Sequence, residues 1–493
     1  MAQETKLSSQ LWATKPLTRI LAETDGGTHS LRRTLGPWNL VALGIGAIIG
    51  AGLFSLTGIA AAEHAGPAIA LSFVLAAIAC ALAGFCYSEF ATMIPIAGSA
   101  YTYAYATMGE LVAWIVGWNL VLEYAVGAAT VSISWSAYVV SLLHDLGIEL
   151  PPALVASPWQ PVQLPSGELV HGFVNLPAVL IVVLISALLI LGIKESALVN
   201  AIVVTIKVAV VVVFIAVGAW YVKPANYVPF IPENTGVFGE FGWSGVLRAA
   251  GIIFFAYIGF DAVSTAAQEA RHPQKDMPVG IIGSLAICTL LYVAFSVVMT
   301  GLAHYTEFKG AAAPVAVAIA NTPFDWLRPL IKLAIISGFT SVILVMLLGQ
   351  SRVFFSMAHD GLLPDTFSKI HHRYRTPYRS NLLLMAGVGA MGAFMPISVV
   401  AQMTSIGTLF AFAIVCAGVP LMRRSHPHAP RPFRTPLVPF LPICGVAVNL
   451  LLMYGLGWPN WIRLLGWLAI GLLIYFAYGR RHSRLGRELA AKG

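Results

Sequence analysis

The sequence predicts an all-α integral membrane protein, and three observations lead to this prediction. Of the 493 residues, 58% are hydrophobic and only 10% are charged, whereas a typical soluble domain has about 25% charged residues. The mean hydropathy is +0.81. Apolar segments of about 20 residues, the length that crosses the hydrocarbon core of a bilayer, recur along the whole chain. Because an α-helix satisfies its backbone hydrogen bonds within one segment, we expect each of them to be a transmembrane helix.

Twelve apolar segments are long enough to be spans, and the distribution of charge supports this number. An even number places both termini on one side, and most of the 29 lysine and arginine residues then fall on that side. The positive-inside rule makes that side cytoplasmic, so the protein is expected in the cytoplasmic (inner) membrane. The predicted spans are 38–62, 67–94, 109–141, 175–193, 198–222, 244–267, 278–303, 328–357, 380–398, 401–422, 437–455 and 459–479.

The spans and their flanks define four regions. We expect a cytoplasmic N-terminal tail over 1–36, a core of ten spans over 37–425, two additional helices over 426–479 and a basic cytoplasmic tail over 480–493. The tail at 1–36 lacks the short apolar core of a cleavable signal peptide. The net charge of +8 mostly reflects this topology and says little about a partner. The expected partners are a small-molecule substrate and membrane lipid, with no nucleic acid. The five cysteines lie in apolar runs without ligand spacing, so neither disulfides, nor a metal, nor a cofactor is expected.

Glycines interrupt the first span. Gly44, Gly46, Gly50 and Gly52 fall within one short apolar run, and each costs about 0.8–1 kcal/mol relative to alanine in a helix interior. Two interpretations stay open from this run alone. Gly46 and Gly50 form a GxxxG pair that would permit close helix packing. Alternatively, an opened turn there would expose backbone amides and carbonyls that can hold the two ends of a zwitterion.

The sixth span repeats this irregularity, because Gly259 and Asp261 lie in the middle of an apolar run. Interrupted spans at corresponding places in two halves are typical of the binding site of an inverted-repeat transporter. Spans one to five and six to ten would be the halves. At such breaks, the N-termini of half-helices are positive dipole ends for a carboxylate, and the opened carbonyls can accept an ammonium group.

Three ionisable residues lie deep inside predicted spans: Glu123 in the third, Lys207 in the fifth and Asp261 in the sixth. A charge at the centre of a transmembrane helix costs about 2.5–3.5 kcal/mol, so such residues are functional candidates. Lys207 has apolar neighbours for several turns in both directions and is too deep to reach the interface easily. A lysine that can gain and lose its charge there is a candidate proton carrier.

Three motifs carry a resemblance to a known family. They are the run Gly44 to Phe54, the run Phe254 to Glu269 (FFAYIGFDAVSTAAQE) and the loop His359 to Pro364 (HDGLLP). Together they resemble the amino acid–polyamine–organocation superfamily, and within it the bacterial cationic amino acid transporter family. The resemblance implies a ten-helix core of two inverted repeats (5+5) with broken helices 1 and 6, two additional C-terminal helices, and transport by alternating access.

The resemblance also implies roles for individual residues. The backbone amides of Gly50, Ala51 and Gly52 would bind the substrate carboxylate. The carbonyls of Ile48, Phe255, Ala256 and Ile258 would bind its amine. Lys207 lies where sodium sits in sodium-coupled relatives, so protons are expected as the coupling ion, with Lys207 and Glu123 as the coupling residues. Glu123 and Asp261 would lie near the substrate, and Phe339 in the eighth span would help to set the size of the pocket.

Three positions depart from the family pattern. Ala51 lacks the hydroxyl that many relatives have between the two glycines, so carboxylate binding would rest on backbone amides. His359 replaces the usual arginine, which puts a cytoplasmic salt bridge in doubt. Phe339 is bulky and would disfavour a side chain as long as that of arginine.

The predicted function is a proton-coupled symporter for L-amino acids, a small-molecule transporter and not an enzyme. A polyamine or amino acid exchanger on the same fold is the alternative, followed by a non-transporting amino-acid sensor. The adjacent pair His371 and His372 lies in a basic loop, which does not suggest catalysis, and the chain has no GxxxxGK motif for ATP. Small neutral and cationic amino acids both remain open as substrates.

Overall fold

The computed structural model describes residues 10–18, 20, 35–95, 98–159, 161–163, 169–192, 197–374 and 376–492. Most of the predicted N-terminal tail over 1–36 lies outside these residues. Helices lie in each of the twelve predicted windows. Within the described residues, eight helical runs are long and apolar enough to cross a membrane by length and composition. The protein is therefore an integral membrane protein, and the number of twelve crossings and the inverted repeat stay predictions.

The predicted spans keep their numbers below. Their helical segments are Pro37–Ile48, Gly52–Leu56, Thr57–Ala60 and Ala61–Ala65 (first), Ile69–Met93 (second), Glu110–Val121, Leu122–Val126 and Gly127–Asp145 (third), Leu176–Leu191 (fourth), Ala197–Ala219 (fifth), Gly242–Ile253, Phe254–Tyr257 and Ala262–Thr265 (sixth), Pro273–Leu302 (seventh), Leu327–His359 (eighth), Tyr378–Phe394 (ninth), Ile397–Ser425 (tenth), Phe440–Gly455 (eleventh), and Trp458–Ile474 with Tyr475–Gly479 (twelfth).

The connections contain shorter elements. The helical ones are Gly66–Ala68, Ser99–Thr107, Pro152–Leu154, Pro224–Tyr227, Ala267–Glu269, Tyr305–Phe308, Pro314–Ile319, Asp365–Phe367, Arg480–His482 and Arg484–Lys492. Two strands, Pro161–Gln163 and Leu169–His171, form an antiparallel pair in which Pro161 lies opposite His171. They belong to the long connection between the third and fourth spans.

Glycines allow the seventh span to pack closely against the first two. A Cβ on Gly44 would lie 2.5 Å from the hydroxyl oxygen of Ser284, and one on Gly84 would lie 2.9 Å from Leu285. Because small residues let helix backbones approach each other in a membrane, these positions favour close contact over side-chain volume. Gly44 thus serves close packing between the first and seventh spans.

Both ends of the described chain meet on one side of the protein. The amide of Gln10 donates a hydrogen bond of 2.9 Å to the carbonyl oxygen of Arg480. Lys15 forms an ion pair of 2.9 Å with Asp360, in the loop that follows the eighth span. The backbone N–H of Arg484 in turn donates to the carbonyl oxygen of Asp360 at 3.0 Å. We call this the terminal side and the opposite one the far side.

Charged residues near the ends of the spans are paired. Glu89 in the second span accepts hydrogen bonds of 3.0 and 2.7 Å from the guanidinium of Arg423, which lies near the end of the tenth span. Lys332 in the eighth span forms an ion pair of 2.5 Å with Asp145. These pairs join neighbouring spans at their ends, where both partners can reach each other.

Candidate functional site

The first span is broken at Ile49 and Gly50. Its first half ends at Ile48, and Ile49 has an extended backbone with φ −70° and ψ 106°. The carbonyl oxygen of Gly50 then accepts hydrogen bonds from the N–H groups of Leu53 at 3.2 Å and Phe54 at 3.3 Å, which starts the second half. The first N–H groups of a helix have no partner within it, and they carry the positive end of its dipole. The backbone polarity at this break therefore suits an anion.

The sixth span is broken at the corresponding place. The helix tightens into the 3₁₀ turn Phe254–Tyr257, and Ile258 follows with an extended backbone, φ −60° and ψ 136°. Gly259 has a φ of +113°, which disfavours any residue with a Cβ. A Cβ there would also lie 2.8 Å from the carbonyl oxygen of Ala47 in the first span. The break in the sixth span thus lies directly against the first span.

The two breaks contact each other through their backbones. A Cβ on Gly52 would lie only 2.2 Å from the Cα of Ala256. The backbones of the first and sixth spans therefore come closer here than a side chain on residue 52 would permit. The amides at the start of the second half of the first span and the carbonyls at the end of the first half of the sixth span belong to one small region. The structure thus brings together Ile48, Gly50, Ala51, Gly52, Phe255, Ala256 and Ile258.

A tyrosine of the seventh span joins the two breaks. The hydroxyl oxygen of Tyr292 lies 2.9 Å from the carbonyl oxygen of Ile48 and 3.0 Å from that of Ala256. Both carbonyls are among those expected to bind the amine of a substrate. Tyr292 was not predicted from the sequence, because a tyrosine in an apolar run carries no signal of this contact.

Lys207 contacts the first half of the first span. Its ammonium group donates a hydrogen bond of 2.6 Å to the carbonyl oxygen of Gly46, and the residue is only 1% exposed. Gly338 in the eighth span makes room for its stem, because a Cβ there would lie 3.0 Å from the Cε of Lys207. The carbonyl that binds the deep lysine thus lies two residues before Ile48, the last residue before the break.

Glu123 and Asp261 form a buried pair of carboxyl groups. Glu123 lies in the π-helical turn Leu122–Val126 of the third span, a feature that is frequent at functional sites. The two carboxyl groups lie close enough to interact electrostatically. The hydroxyl of Tyr124 donates a hydrogen bond of 2.5 Å to Oδ2 of Asp261. Among the described residues, the other oxygen of Asp261 and both oxygens of Glu123 have no hydrogen-bond partner.

This pair is chemically demanding. Two carboxyl groups that are both fully buried cannot both be ionised at low cost unless a cation lies between them. A proton on one of them removes this cost. The site thus offers a place for a proton in the centre of the protein, beside the broken sixth span.

Apolar side chains cover the side of the first break that faces the eighth span. The ring of Phe339 lies 6.0 Å from that of Phe54 and 5.6 Å from that of Tyr138, between centroids. The hydroxyl of Tyr138 donates a hydrogen bond of 2.6 Å to the carbonyl oxygen of Phe54. A Cβ on Gly50 would lie 3.4 Å from a methyl group of Val342. The backbone of the break therefore faces aromatic and branched aliphatic side chains.

The site is closed to solvent in this conformation. Every residue proposed for substrate binding or proton coupling is buried, the most exposed being Phe255 at 3% among those with a side chain beyond a hydrogen. A substrate therefore needs a change of conformation to enter or leave this site.

The loop on the terminal side forms a salt bridge although His359 replaces the arginine that is usual in the family. Asp360, the next residue, pairs with Lys15 and also accepts a hydrogen bond of 2.7 Å from the hydroxyl of Tyr101. Nε2 of His359 lies 3.5 Å from the guanidinium of Arg484. The doubt about a salt bridge at this loop is resolved by a lysine that comes from the N-terminal segment.

Glu110 is a second residue that was not predicted from the sequence. It is fully buried at the start of the third span. Its carboxylate accepts hydrogen bonds from Gln10 at 3.3 Å, Tyr105 at 2.9 Å and Tyr475 at 2.9 Å, and from the hydroxyl of Ser483. In the sequence it resembles an ordinary acid in the first turn of a helix, and most of its partners are far away along the chain.

Two broken helices that lie against each other, next to buried ionisable residues, are typical of the binding site of membrane transporters. The sequence model of the family described as amino acid permease matches residues 35–474. The chain belongs to this family, within the amino acid–polyamine–organocation superfamily, which confirms the resemblance seen in its motifs.

Individual relatives agree with this class. The chain is similar to the branched-chain amino acid permease of Bacillus subtilis, with 44% identity over 483 residues that cover 98% of this chain and 100% of the relative. It is 42% identical over 479 residues to the methylthioribose transporter of Bacillus subtilis, covering 97% and 100%. The vacuolar cationic amino acid transporter 4 of Arabidopsis thaliana is 31% identical over 580 residues, covering 94% of each chain. The protein is thus a transporter of the amino acid permease class.

Proposed function

We propose that this protein is a proton-coupled symporter that carries branched-chain L-amino acids across the cytoplasmic membrane by alternating access. Both termini then lie in the cytoplasm, as the distribution of basic residues predicts. The observation that carries the proposal is the backbone contact between the two breaks, where a Cβ on Gly52 would lie only 2.2 Å from the Cα of Ala256.

The backbone groups at the two breaks match the two charges of a zwitterion. The carboxylate of the substrate would bind the amides of Gly50, Ala51 and Gly52, where the helix dipole favours an anion. Ala51 adds no hydroxyl, so this half of the site consists of backbone alone. The ammonium group would bind the carbonyls of Ile48 and Ala256, whose oxygens both lie within hydrogen-bond distance of the hydroxyl of Tyr292.

The surroundings of the first break favour an apolar side chain of moderate size. Phe339 and Val342 face the break from the eighth span, and an aliphatic side chain buried against them gains about 0.8 kcal/mol for each CH₂ group. A guanidinium at the same place would lose its hydration without a partner. The name of the similar permease of Bacillus subtilis supports the same substrate class.

Lys207 supports coupling to protons. Its ammonium donates to the carbonyl oxygen of Gly46 in the first span, and hydrogen bonds from charged donors contribute about 1.5–3 kcal/mol, roughly twice those of neutral donors. Loss of the proton from Lys207 would therefore weaken the hydrogen bond that connects this lysine to the first half of the first span. The carboxyl pair of Glu123 and Asp261 offers a second place for a proton.

Uptake by purified protein in liposomes tests the proposal. We expect accumulation of leucine, isoleucine and valine that depends on an inward proton gradient and persists without sodium. Thermal shifts with the twenty amino acids and methylthioribose should show the largest stabilisation for these three, because a ligand at a hundred times its Kd stabilises by about 2.7 kcal/mol. Strict sodium dependence, or binding of methylthioribose alone, would contradict the proposal.

Exchange is the main alternative mechanism, and it has its own test. Vesicles without internal amino acid should accumulate leucine as well as preloaded vesicles do under the same proton gradient. An absolute requirement for internal substrate would identify an exchanger on the same fold.

A further inference from the structure

We propose that Tyr292 is a positioning residue of the amine-binding half of the site. Its hydroxyl holds the carbonyl oxygens of Ile48 and Ala256 in one place, so that an ammonium group meets both at once. The inference rests on the proposed function, because it assigns these two carbonyls to the amine of the substrate.

The geometry supports this role directly. One hydroxyl oxygen lies 2.9 Å from the carbonyl of Ile48 and 3.0 Å from that of Ala256. A hydroxyl has a single proton, so it donates to one of them at a time, whereas each carbonyl oxygen has two lone pairs. Both carbonyls therefore keep capacity for further donors, and an ammonium group provides three.

The ring of Tyr292 is fixed independently of the breaks' own backbone. Its centroid lies 5.5 Å from the ring of Phe73 in the second span and 5.3 Å from that of Tyr257. The residue is fully buried, and Tyr257 is itself anchored by a hydrogen bond of 3.1 Å to the carbonyl oxygen of Phe73. The hydroxyl thus has a fixed position, set by ring packing among the second, sixth and seventh spans.

This arrangement makes the two carbonyls act as one site. Residues at a break lack the regular hydrogen bonds of a helix, so their carbonyls can turn away from each other. A common donor on a rigid ring restricts that freedom and keeps the spacing that an ammonium group needs. We therefore expect Tyr292 to matter for ligands that have an amine and to have little effect on ligands that lack one.

The test compares two ligands on the substitution Tyr292→Phe. The dissociation constants of L-leucine and of 4-methyl-2-oxopentanoate, which keeps the carboxylate and the side chain of leucine but has no amine, are measured by ligand-induced thermal shift on the full-length protein. The expected result is a roughly tenfold weaker binding of leucine, the size of one lost hydrogen bond, with the binding of the oxo acid unchanged. Equal weakening of both ligands, or no weakening of leucine binding, would overturn the role.

A matched control removes a tyrosine hydroxyl that contacts the seventh span at another place. Tyr227 donates a hydrogen bond of 2.7 Å to the carbonyl oxygen of Val297 on the far side, and Tyr227→Phe should leave the binding of both ligands as in the wild type. The wild type separates the two proposals. If it binds neither leucine nor other branched-chain amino acids, the proposed function fails, whereas normal wild-type binding with an unselective Tyr292→Phe variant refutes only the role of Tyr292.

Two further replacements of Tyr292 guard against a folding defect. 4-Fluorophenylalanine fills the volume of the hydroxyl but donates no hydrogen bond, and it should behave like the phenylalanine variant. 4-Aminophenylalanine restores N–H donors at the same place and should bring leucine binding back to the wild-type value. A folded 4-aminophenylalanine variant that binds leucine as weakly as the fluoro variant would contradict the inference.

Discussion

The ammonium group of Lys207 donates a hydrogen bond of 2.6 Å to the carbonyl oxygen of Gly46. This hydrogen bond joins the fifth span to the half-helix that ends at Ile48, two residues further along. It gives the deep lysine a mechanical connection to the broken span that a count of charges in the sequence does not show. Changes in the protonation of Lys207 would act on the first span directly.

We predict that Lys207→Ala uncouples transport from the proton gradient. Alanine has no ammonium group, so the hydrogen bond to Gly46 is absent at every pH. The proton gradient then has no titratable group at position 207. In liposomes with a gradient of one pH unit, which can sustain about a tenfold accumulation for one proton per substrate, the variant should only equilibrate leucine. Lys309→Ala, at an exposed position in the connection between the seventh and eighth spans, is the control and should accumulate leucine normally. Full accumulation by Lys207→Ala would refute the coupling role.

We predict that Gly52→Ala abolishes leucine binding. The new methyl group would lie 2.2 Å from the Cα of Ala256, so the two breaks would have to separate, and no flexible side chain is there to yield. Gly387→Ala in the ninth span is the matched control, because a Cβ there meets no described atom within 4 Å. Thermal shift with leucine on both purified variants tests this, and wild-type affinity in Gly52→Ala would show that the breaks do not touch during binding.

We predict that Phe339→Leu changes the preference for substrate size. The smaller side chain leaves space beside Phe54, so leucine should bind roughly fourfold more weakly for each of its CH₂ groups that no longer packs against a ring, while L-phenylalanine should gain affinity. Phe394→Leu, at a position that is 48% exposed, should change neither. Competition of unlabelled amino acids against labelled leucine measures both effects, and an unchanged order of preference would place Phe339 outside the pocket.

We predict that Asp261→Asn has little effect on leucine binding. A neutral side chain has no charge for Asp261 to pair with, and asparagine can still accept the hydrogen bond from Tyr124. The leucine affinity should therefore stay within about threefold of the wild type, a change near the 0.6 kcal/mol level. Asp325→Asn, at an exposed ion pair with Arg328, serves as control. If the wild type instead binds lysine and Asp261→Asn loses that binding by roughly thirtyfold or more, as for a broken buried charge pair, a cationic substrate is indicated.

The helical membrane fold, the two interrupted spans and the deep lysine were predictable from the sequence, for a physical reason. Glycines and charges in apolar segments are costly in a bilayer, so Gly50, Gly259 and Lys207 stood out against their surroundings. Their rarity in such segments carries the information, and the structure places all three at or beside the breaks.

Other contacts of the site involve backbone atoms or residues that are far apart in the sequence, and these were not predictable. Tyr292 and Glu110 have ordinary sequence neighbours, and their roles arise only from what the fold brings to their polar atoms. For the run that contains Gly46, the sequence left helix packing and an opened turn as alternatives, and in the structure the carbonyl of Gly46 accepts the hydrogen bond from Lys207. The sequence around Gly46 gives no signal of this contact, so it appears only in three dimensions.

The hydrogen bonds of Glu110 have a consequence for biosynthesis. One of its partners, Ser483, is 373 positions away along the chain, and another, Gln10, comes from the opposite end. During synthesis, all later spans are therefore made before Ser483, the last hydrogen-bond donor to Glu110, leaves the ribosome. The full set of donors to Glu110 can therefore form only after the last span has been synthesised, and a polypeptide that stops before Ser483 would leave this buried carboxylate without one of them.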